Sequence, residues 1–410
     1  MKILILGCGT QGSSIAALLA KEEDVESLIC ADMDLKAAKR AAEWVKALKS
    51  EVEVRAEQAK ASKREDVARV AKGVDIIFNA TFPEFNIPVL EACLDVGAHY
   101  LDLGGDTLID ELDQAEEGQS ELDARLKDAG VTALINMGVS PGFTCIAAHY
   151  IVDQLDTIDA VKIRWCDKVD ATQLVGTWSP AGYMEEFFSP YDPEVWDKGI
   201  KSVDLLGNAE EYEFPEPVGR VTLYNVTHNE IYTIPRYLPK VTGKPIDYVD
   251  VKGGMVIGAL TVKDVLIEAI RQANKKRMST YVEKADLLKL WGSSFIHPMD
   301  FRESYDKGII KDACVAIATE VIGYKSGKQV RHTVYCVTTL GEAIKHVPWA
   351  TPLSYATSTS ATIATLMIGR GKIKRRGIML PEWIEQPKAF IKKMENMGNL
   401  IRETIDKPIF

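Results

Sequence analysis

The sequence predicts an α/β fold in which a doubly wound parallel sheet is followed by an α+β domain. Over residues 1–142, short apolar runs alternate with helical stretches, which is the pattern of parallel strands joined by helices. After Gly142 the runs become longer and alternate apolar with polar residues, which is typical of antiparallel strands. A chain of 410 residues is also too long for one core of ordinary size, so two domains are expected.

Six short runs in the first domain have the composition of buried strands, and helical stretches stand between them. The strands are predicted at 2–7, 27–32, 51–56, 74–81, 99–105 and 131–138. The helices are predicted at 12–24, 35–50, 64–73, 87–97 and 118–130. Six strands in about 135 residues is the size of a Rossmann dinucleotide-binding domain, which we place at 1–142.

The second domain is predicted over residues 143–352. Antiparallel strands are expected at 160–168 and 220–234, and a hairpin at 310–339, where two alternating runs flank the turn KSGKQ. A helical insert is expected at about 258–305. The chain is then expected to close with helices over 353–410.

The first predicted strand runs directly into Gly7, Gly9 and Gly12, which open the first helix. In a G-x-G-x-x-G turn of this context the first glycine allows a tight turn, and the second lets a pyrophosphate approach the backbone. The third lets helix and strand pack closely. The amides at the helix start, which include those of Thr10 and Gln11, then face the phosphates. The alternative is a structural turn without a ligand.

Asp32 lies twenty residues beyond Gly12, at the end of the second predicted strand. A carboxylate at this place accepts hydrogen bonds from both ribose hydroxyls and repels a 2′-phosphate. Met33 follows it, Asp34 adds a second negative charge, and the first cation comes only at Lys36. The charges therefore favour NAD over NADP as the cofactor.

Composition and charge exclude several function classes. A formal net charge of −10 leaves no excess of Lys and Arg to neutralise the phosphates of a nucleic acid. No apolar run approaches the ~18 residues of a membrane-spanning helix, and no His, Cys, Asp and Glu cluster has the spacing of a metal site. The seven cysteines are scattered without a C-x-x-C pair, which is typical of reduced thiols. We therefore expect a cytoplasmic protein with a small-molecule substrate and without a metal, a membrane anchor or a nucleic-acid partner.

Four stretches resemble the saccharopine dehydrogenase family, which includes saccharopine reductase, lysine 6-dehydrogenase and carboxynorspermidine dehydrogenase. DIIFNATFPEFNIPVLEACLDVGAHYLDLGGD (75–106) looks like the family's fourth and fifth strands. NMGVSPGFTCIAAHY (136–150) resembles its Pro-Gly turn, and TSTSATIATLMIGRGKIKRRGIMLPEW (357–383) resembles its closing helix and ending. YNVTHNEIYTI (224–234) is similar to a His-x-Glu stretch of the carboxynorspermidine branch.

The resemblance implies hydride transfer between a nicotinamide cofactor and a C–N bond, as amine oxidation or imine reduction, on an amino acid or a carboxy-polyamine. It also implies a homodimer, a second domain for substrate binding and dimerisation, and C-terminal helices that pack back on the Rossmann domain. Two other interpretations stay open. One is a catalytically idle NAD-binding sensor or scaffold. The other is a Cys-dependent semialdehyde dehydrogenase, because Cys145 and His149 share one face of a predicted helix at i and i+4.

Candidate site residues of the first domain lie where its strands end, because ligands of such sheets bind at the carboxyl ends of the strands. The residues expected to line the cofactor there and in the Pro-Gly turn are Asn79, Ala80, Thr81, Gly138 and Pro141. Asp102 ends the fifth strand, where a short acid can hold a substrate ammonium or pass a proton. The alternative for Asp102 is a helix cap or a turn residue.

Substrate contacts are expected from the second domain and from the helix that follows the Pro-Gly turn. That helix begins with Phe143 and Thr144, and its amides are expected to hold a carboxylate. Trp178 lies beside a loop and is a candidate pocket wall, with core packing as the alternative. The cations that are candidates for clamping a substrate carboxylate are Arg164, Arg220 and Arg236.

His228 and Glu230 alternate onto one face of the strand predicted at 220–234. A histidine with a pKa near the working pH, steadied by a carboxylate, suits the proton acceptor of an amine oxidation. A satisfied surface His–Glu pair is the alternative. The candidate catalytic residues are therefore Asp102, His228 and Glu230.

Overall fold

The computed structural model describes residues 1–48, 51–179, 192–204, 207–261, 264 and 295–406. The chain divides into two compact units. The first comprises Met1–Ala147 and Tyr355–Met397, and the second comprises Ala148–Ser354 and the chain from Gly398 onward. Within the described ranges, no helix combines the length and the apolarity that crossing a membrane requires.

The sheet of the first unit consists of seven parallel strands. In chain order they are β1 (Lys2–Leu6), β2 (Ser27–Asp32), β3 (Glu53–Gln58), β4 (Ile76–Asn79), β5 (His99–Asp102), β6 (Thr132–Leu134) and β16 (Gly377–Met379). Their spatial order is β16-β6-β5-β4-β1-β2-β3, so the winding of the chain reverses between β1 and β4. This order is that of a doubly wound sheet and confirms the predicted Rossmann fold.

Helices accompany these strands along the chain. They are α1 (Thr10–Leu19), α2 (Leu35–Ala47), α3 (Arg64–Val70), α4 (Asn86–Val96), α5 (Ile109–Glu116), α6 (Glu121–Asp128) and α7 (Phe143–Val152), with α11 (Pro352–Gly369) and α12 (Pro387–Asn396) from the far end. Ile3, Leu4 and Ile5 of β1 are fully buried, as a central strand covered on both faces requires. Each such side chain contributes roughly 1.5–3 kcal/mol to the stability of the fold.

The sequence predicts six of the seven strands of this sheet and misses β16. This strand has only three residues, and its partner β6 lies far away in the chain. Three residues show no readable alternation, and pairing with a distant strand leaves no local signal.

The second unit contains a mixed sheet. Its strands are β7 (Thr157–Ala171), β8 (Glu194–Asp197), β9 (Ile200–Ser202), β10 (Glu210–Glu213), β11 (Arg220–Asn225), β12 (Ile246–Ile257), β13 (Leu260–Thr261), β14 (Ile310–Lys325), β15 (Lys328–Thr339) and β17 (Leu400–Asp406). The main order is β10-β11-β12-β7-β14-β15-β17, and β8 and β13 pair with β12. The central strand β7 is antiparallel to β14 but parallel to β12, so the expectation of antiparallel strands holds for only one of its sides.

The hairpin predicted at 310–339 is confirmed. β14 and β15 pair antiparallel with Lys325 opposite Lys328. The two residues between them, Ser326 and Gly327, both have positive φ angles of 51° and 73°. A two-residue turn with positive φ at both positions matches the twist of the strands that it joins.

The strand predicted at 220–234 is wrong beyond its first half. β11 ends at Asn225, and the helix α8 (Glu230–Thr242) follows. Ile231, Ile234 and Leu238 are buried, and this spacing of three and four residues is that of one helix face. The remaining described helices of this unit are α9 (Phe301–Asp306) and α10 (Leu340–His346).

The closing segment is not helical to its end, in contrast to the expectation for 353–410. α12 ends at Asn396, Gly398 has a φ of +93°, and β17 then pairs antiparallel with β15. Branched residues such as Ile401 and Thr404 favour a strand over a helix here. Residues 400–406 therefore belong to the sheet of the second unit.

Most of the helical insert expected at about 258–305 lies outside the described residues, which omit 262–263 and 265–294. Its described ends contain β13 and α9.

Candidate functional site

The three glycines of the β1–α1 turn differ in what surrounds them. A Cβ on Gly12 would lie 1.8 Å from the carbonyl oxygen of Gly7, and a Cβ on Gly7 would lie 2.8 Å from that of Ala80. Gly7 also has a φ of +93°, which side chains other than glycine rarely adopt. A Cβ on Gly9 would meet nothing within 4 Å. Packing therefore requires Gly7 and Gly12, whereas the backbone at Gly9 is open to a ligand.

The helix α1 starts at Thr10, directly after this open backbone. Its cap residue is Gly9, which supplies no side-chain hydrogen bond, and its first turn holds no acidic residue. The amides of a helix's first turn have no intrahelical acceptor, so they attract a phosphate group. The turn thus fits a diphosphate.

The same turn contacts α11, because the hydroxyl of Ser358 donates to the carbonyl oxygen of Gln11 at 3.3 Å.

Asp32 is held beside the turn by backbone amides. Its Oδ2 accepts a hydrogen bond from the amide of Cys8 at 2.7 Å, and its Oδ1 accepts one from the amide of Asp34 at 2.9 Å. Asp34 itself accepts from the amide of Lys36 at 2.9 Å and so caps α2. Met33 is 68% exposed. The half-buried carboxylate of Asp32 thus lies at the end of β2, where the ribose of a bound dinucleotide would be.

A buried hydrogen-bond network joins the carboxyl ends of β4, β5 and β6. Asn79 donates from Nδ2 to Oδ1 of Asn86 at 2.9 Å and to the hydroxyl of Tyr100 at 3.3 Å. The amide and the hydroxyl of Thr81 donate to Oδ1 of Asn79 at 3.2 and 2.5 Å. Tyr100 donates to Oδ2 of Asp102 at 2.9 Å. The sequence reasoning named Asn79, Thr81 and Asp102 here but missed Tyr100 and Asn86.

Asp102 is only 1% exposed, and both of its carboxylate oxygens accept hydrogen bonds. Besides Tyr100, the amide of Asn136 donates to its Oδ1 at 2.7 Å. Burial raises the pKa of Asp102 to about 7, although the two hydrogen bonds act in the opposite direction. This placement does not support the predicted contact between Asp102 and a substrate ammonium. It makes Asp102 a link between strand ends.

The Pro-Gly turn holds Gly138 and Pro141 close together. The amide of Gly138 donates to the carbonyl oxygen of Pro141 at 2.9 Å, and Gly142 has a φ of +125°. The amides of Phe143 and Thr144 donate to the carbonyl oxygens of Gly138 and Val139. These first amides of α7 are therefore already used, in contrast to the expectation that they hold a substrate carboxylate.

Phe143 and Thr144 are also fully buried. A substrate contact for either side chain stays a prediction that this burial does not support. Cys145 is likewise fully buried, and His149 lies 3.5 Å from the carboxylate of Asp153. A thiol without exposed surface cannot attack an aldehyde, which disfavours the interpretation as a semialdehyde dehydrogenase.

In the second unit, His228 and Glu230 contact each other although they do not lie on a strand. Nδ1 of His228 is hydrogen-bonded to Oε2 of Glu230. The Glu230 side chain is fully buried and that of His228 is 8% exposed. Glu230 is the first residue of α8, where the helix dipole favours a carboxylate. The carboxylate thus fixes the orientation of the imidazole, as a proton acceptor requires.

The three candidate arginines have different surroundings. Arg164 is 1% exposed and forms a bidentate ion pair with Asp250 at 2.8 and 3.0 Å, so it is bound within the sheet. Arg220 is paired with Glu213 at 3.1 Å. Arg236 lies on α8 with its guanidinium 5.9 Å from the ring centre of Trp196. The contact of Arg236 with a substrate carboxylate stays a prediction.

Trp196 and Trp178 differ in the support that the structure gives them. Trp196 lies on β8 under Arg236 and was not foreseen from the sequence. Trp178 is half-buried and follows Thr177, whose hydroxyl donates to the buried carboxylate of Asp167. Its role as a pocket wall stays a prediction. Across the described residues, no three His, Cys, Asp or Glu side chains come together as a metal site requires.

Two family models match the chain. The model of the saccharopine dehydrogenase NADP binding domain matches residues 3–134. The model of the saccharopine dehydrogenase C-terminal domain matches residues 138–399. Both units thus carry the sequence pattern of one family.

Two relatives and two solved structures resemble the chain over nearly all of its length. Carboxynorspermidine synthase of Vibrio cholerae is 24% identical over 97% of this chain and 95% of its own. Carboxyaminopropylagmatine dehydrogenase of Synechocystis is 23% identical over 99% and 98%. Saccharopine dehydrogenase (L-Glu forming) of Saccharomyces cerevisiae has a TM-score of 0.67 at 14% identity, and covers 99% of both chains. The homospermidine synthase of Legionella pneumophila, solved with NAD, has a TM-score of 0.67 at 13% identity, over 99% and 91%.

Proposed function

Because the chain belongs to the saccharopine dehydrogenase family of NAD(P)-dependent oxidoreductases, we propose that it transfers hydride between NAD and a C–N bond of a carboxy-polyamine. The names of the relatives support the substrate class, since two that align over almost the whole chain act on carboxylated polyamine derivatives by name. The alternative substrate is an amino acid of the saccharopine type.

The observation that carries the proposal is the carboxylate of Asp32 bound to the amide of Cys8 inside the glycine turn. In the proposed complex this carboxylate lies beside the adenosine ribose, and the diphosphate lies on the open backbone at Gly9. A 2′-phosphate would meet the negative charges of Asp32 and Asp34. The Asp34 carboxylate is held in place by a hydrogen bond from the backbone amide of Lys36, whose side chain is exposed. These charges favour NAD over NADP, although the name of the matching family model mentions NADP.

For the chemistry we assign one role to each of three side chains. NAD, when bound, supplies the hydride acceptor at its nicotinamide ring. His228 takes the proton that the amine nitrogen loses as its C–N bond becomes an imine, and Glu230 stabilises the resulting imidazolium. Arg236, held over the ring of Trp196, binds the substrate carboxylate. Asp102 is assigned a supporting place within the fold, because it is buried.

Two properties complete the proposal. We propose a homodimer, as the resemblance implies, which light scattering of the purified protein tests. We also propose a cytoplasmic location. All seven cysteines lie in described ranges, are buried and form no disulfide, as expected in a reducing compartment.

The test is turnover with purified protein. Carboxynorspermidine, carboxyaminopropylagmatine and saccharopine are each offered with NAD or NADP, and formation of the reduced cofactor is followed by absorbance. We expect reduction of NAD by at least one carboxylated polyamine. Saturable NADH binding without turnover on any substrate, in either direction, would instead indicate an idle sensor. No binding of NADH at all would refute the proposal.

The cofactor preference has its own test. Removing the carboxylate and adding a cation, in the double variant Asp32→Ala with Met33→Arg, should shift the ratio of kcat/KM values toward NADP by about tenfold or more. An unchanged ratio would show that Asp32 does not contact the ribose.

A further inference from the structure

The buried hydrogen bonds at the strand ends of the first unit form a closed ring, which we call the strand-end network. Its side chains are Asn79, Asn86, Tyr100, Asp102 and Asn136. Nδ2 of Asn86 donates to the carbonyl oxygen of Gly104 at 2.7 Å, and the amide of Gly105 donates to Oδ1 of Asn136 at 2.6 Å. The peptide bond between Gly104 and Gly105 closes the ring.

Tyr100 holds two parts of this ring together with one oxygen atom. Its hydroxyl accepts from Asn79 at the end of β4 and donates to Asp102 at the end of β5. Asp102 in turn accepts from the amide of Asn136, which follows β6. Tyr100 is fully buried, so water cannot replace either bond. One phenol hydroxyl therefore joins side chains at the ends of β4 and β5 and, through Asp102, the segment that follows β6.

The position of the network in the sheet indicates what it supports. The winding of the sheet reverses between β1 and β4, and a dinucleotide lies across this point with one mononucleotide on each half. The glycine turn and Asp32 belong to the half formed by β1–β3, which takes the adenosine. The strand-end network lies wholly at the ends of β4–β6, under the nicotinamide half. It includes Asn79, which accepts two hydrogen bonds from Thr81, and Asn136, which lies two residues before Gly138.

We infer that Tyr100 is a positioning residue for the nicotinamide half of the site. Its hydroxyl holds the segment from Asn79 to Thr81 against the segment from Asn136 to Gly138, and so fixes the backbone on which the nicotinamide ring rests. The inference rests on the proposed function as an NAD-dependent enzyme. It names a residue that does not touch the substrate and acts through Asn79 and Asp102.

A buried tyrosine hydroxyl also stabilises a fold without any role in the site, and Tyr355 provides the matched control. Tyr355 belongs to the same unit and is fully buried. Its hydroxyl donates to the carbonyl oxygen of Met397, which is not part of the strand-end network. Tyr100→Phe and Tyr355→Phe therefore remove the same chemical group from two fully buried tyrosines of one unit.

The experiment measures kcat, the Kd values of NADH and ADP-ribose, and the Tm for both variants and the wild type. ADP-ribose contains the adenosine and the diphosphate but no nicotinamide. We expect Tyr100→Phe to lower kcat about tenfold or more, because a small misplacement of reacting groups is costly, and to leave the Kd of ADP-ribose unchanged. Tyr355→Phe should change the Tm to a similar extent and leave kcat unchanged.

Equal kcat values for the two variants would overturn the inference, as would a parallel loss of ADP-ribose binding in Tyr100→Phe. If the wild type binds NADH without turnover, the proposed function fails. The Kd of ADP-ribose divided by the Kd of NADH then tests the inference. This ratio should fall toward one in Tyr100→Phe, and an unchanged ratio would refute the inference. Should Tyr100→Phe not fold, Asn86→Ala opens the same ring at another link and is judged by the same criteria.

Discussion

The glycine turn of the first unit and the His228–Glu230 pair of the second unit are built in different ways. In the turn, the position of the backbone defines the candidate site: packing requires two of the glycines, and the third leaves its backbone open to a ligand. In the second unit, two side chains at the start of a helix form the candidate site, and the backbone carries them. A site made of backbone is specified by residues that are close in sequence. A site made of side chains depends on the fold around it.

This difference explains how well the sequence predicts the local structure of each region. The spacing of Gly7, Gly9 and Gly12 implied one role for each, and the space around each glycine agrees with that role. The sequence pattern brings His228 and Glu230 together on one face of a predicted strand. In the structure the two side chains do contact each other, but at the start of the helix α8. Residues at i and i+2 share a face of a strand, and a cap geometry happens to bring the same two side chains together.

The largest expected effect distinguishes Gly12 from Gly9. In Gly12→Ala the new Cβ overlaps the carbonyl oxygen of Gly7, so we expect a loss of about 3 kcal/mol of stability and no measurable NADH binding. In Gly9→Ala the Cβ meets no atom of the protein, and the φ of −73° suits any residue. This variant should keep the wild-type Tm and bind NADH about tenfold more weakly, the equivalent of one hydrogen bond to a charged group.

Differential scanning calorimetry and titration calorimetry measure the two quantities. The same Tm and the same Kd for both variants would contradict the assignment of separate roles to the two glycines.

The second effect concerns the side-chain pair. His228→Gln should lower kcat about 100-fold with little change in KM, because a general base acts in the transition state. The limb that an imidazole gives to the pH profile of kcat near neutrality should also disappear.

A matched control is His332→Gln. Like His228, His332 is a histidine of the second unit whose ring is hydrogen-bonded to a glutamate, with Nε2 at 2.6 Å from Oε1 of Glu403; its side chain is buried. It pairs β15 with β17 and should leave the pH profile unchanged. If both variants lose activity equally, His228 serves the fold and not the reaction.

The third effect tests the first unit through the pH dependence of its stability. Burial raises the pKa of Asp102 to about 7, so the folded chain keeps a proton that the unfolded chain releases near pH 4. The free energy of unfolding should therefore fall as the pH rises from about 4 to about 7, by up to about 4 kcal/mol. Asp102→Asn cannot ionise and should lack this fall.

Urea unfolding of both proteins across this pH range measures the difference. If Asp102→Asn and the wild type change in parallel, Asp102 is ionised throughout and the interpretation of its burial is wrong.

The smallest expected effect is that of Cys145→Ser. Because the thiol is fully buried on α7, kcat should stay within about twofold of the wild-type value and only the Tm should fall slightly. Loss of turnover with retained NADH binding would bring back the alternative of a thiol nucleophile.

The local pattern of apolar and polar residues was sufficient to predict most strands and the hairpin turn, where Ser326 and Gly327 supply the positive φ angles. It failed for β16 and β17, which both pair with strands that lie far away in the chain. It also left five strands of the second unit unpredicted, namely β8, β9, β10, β12 and β13. It also did not foresee the place of Arg164, a candidate for a substrate carboxylate, which Asp250 and Glu210 neutralise in the interior. Such compensation between distant residues leaves no periodic signal.

The doubly wound sheet, the glycine turn and the acid that follows the turn are predictable from the sequence, because each depends on residues within one strand–turn–helix unit. Which polar side chains are buried, and what they contact, depends on the complete fold. Tyr100, Asp102 and Asn136 meet because the two parallel strands β5 and β6 end at one edge, and Ser358 reaches Gln11 because the far end of the chain joins the first unit. The physical reason is that backbone conformation follows from local sterics and periodicity, whereas a buried hydrogen bond requires two partners that only the complete fold brings together.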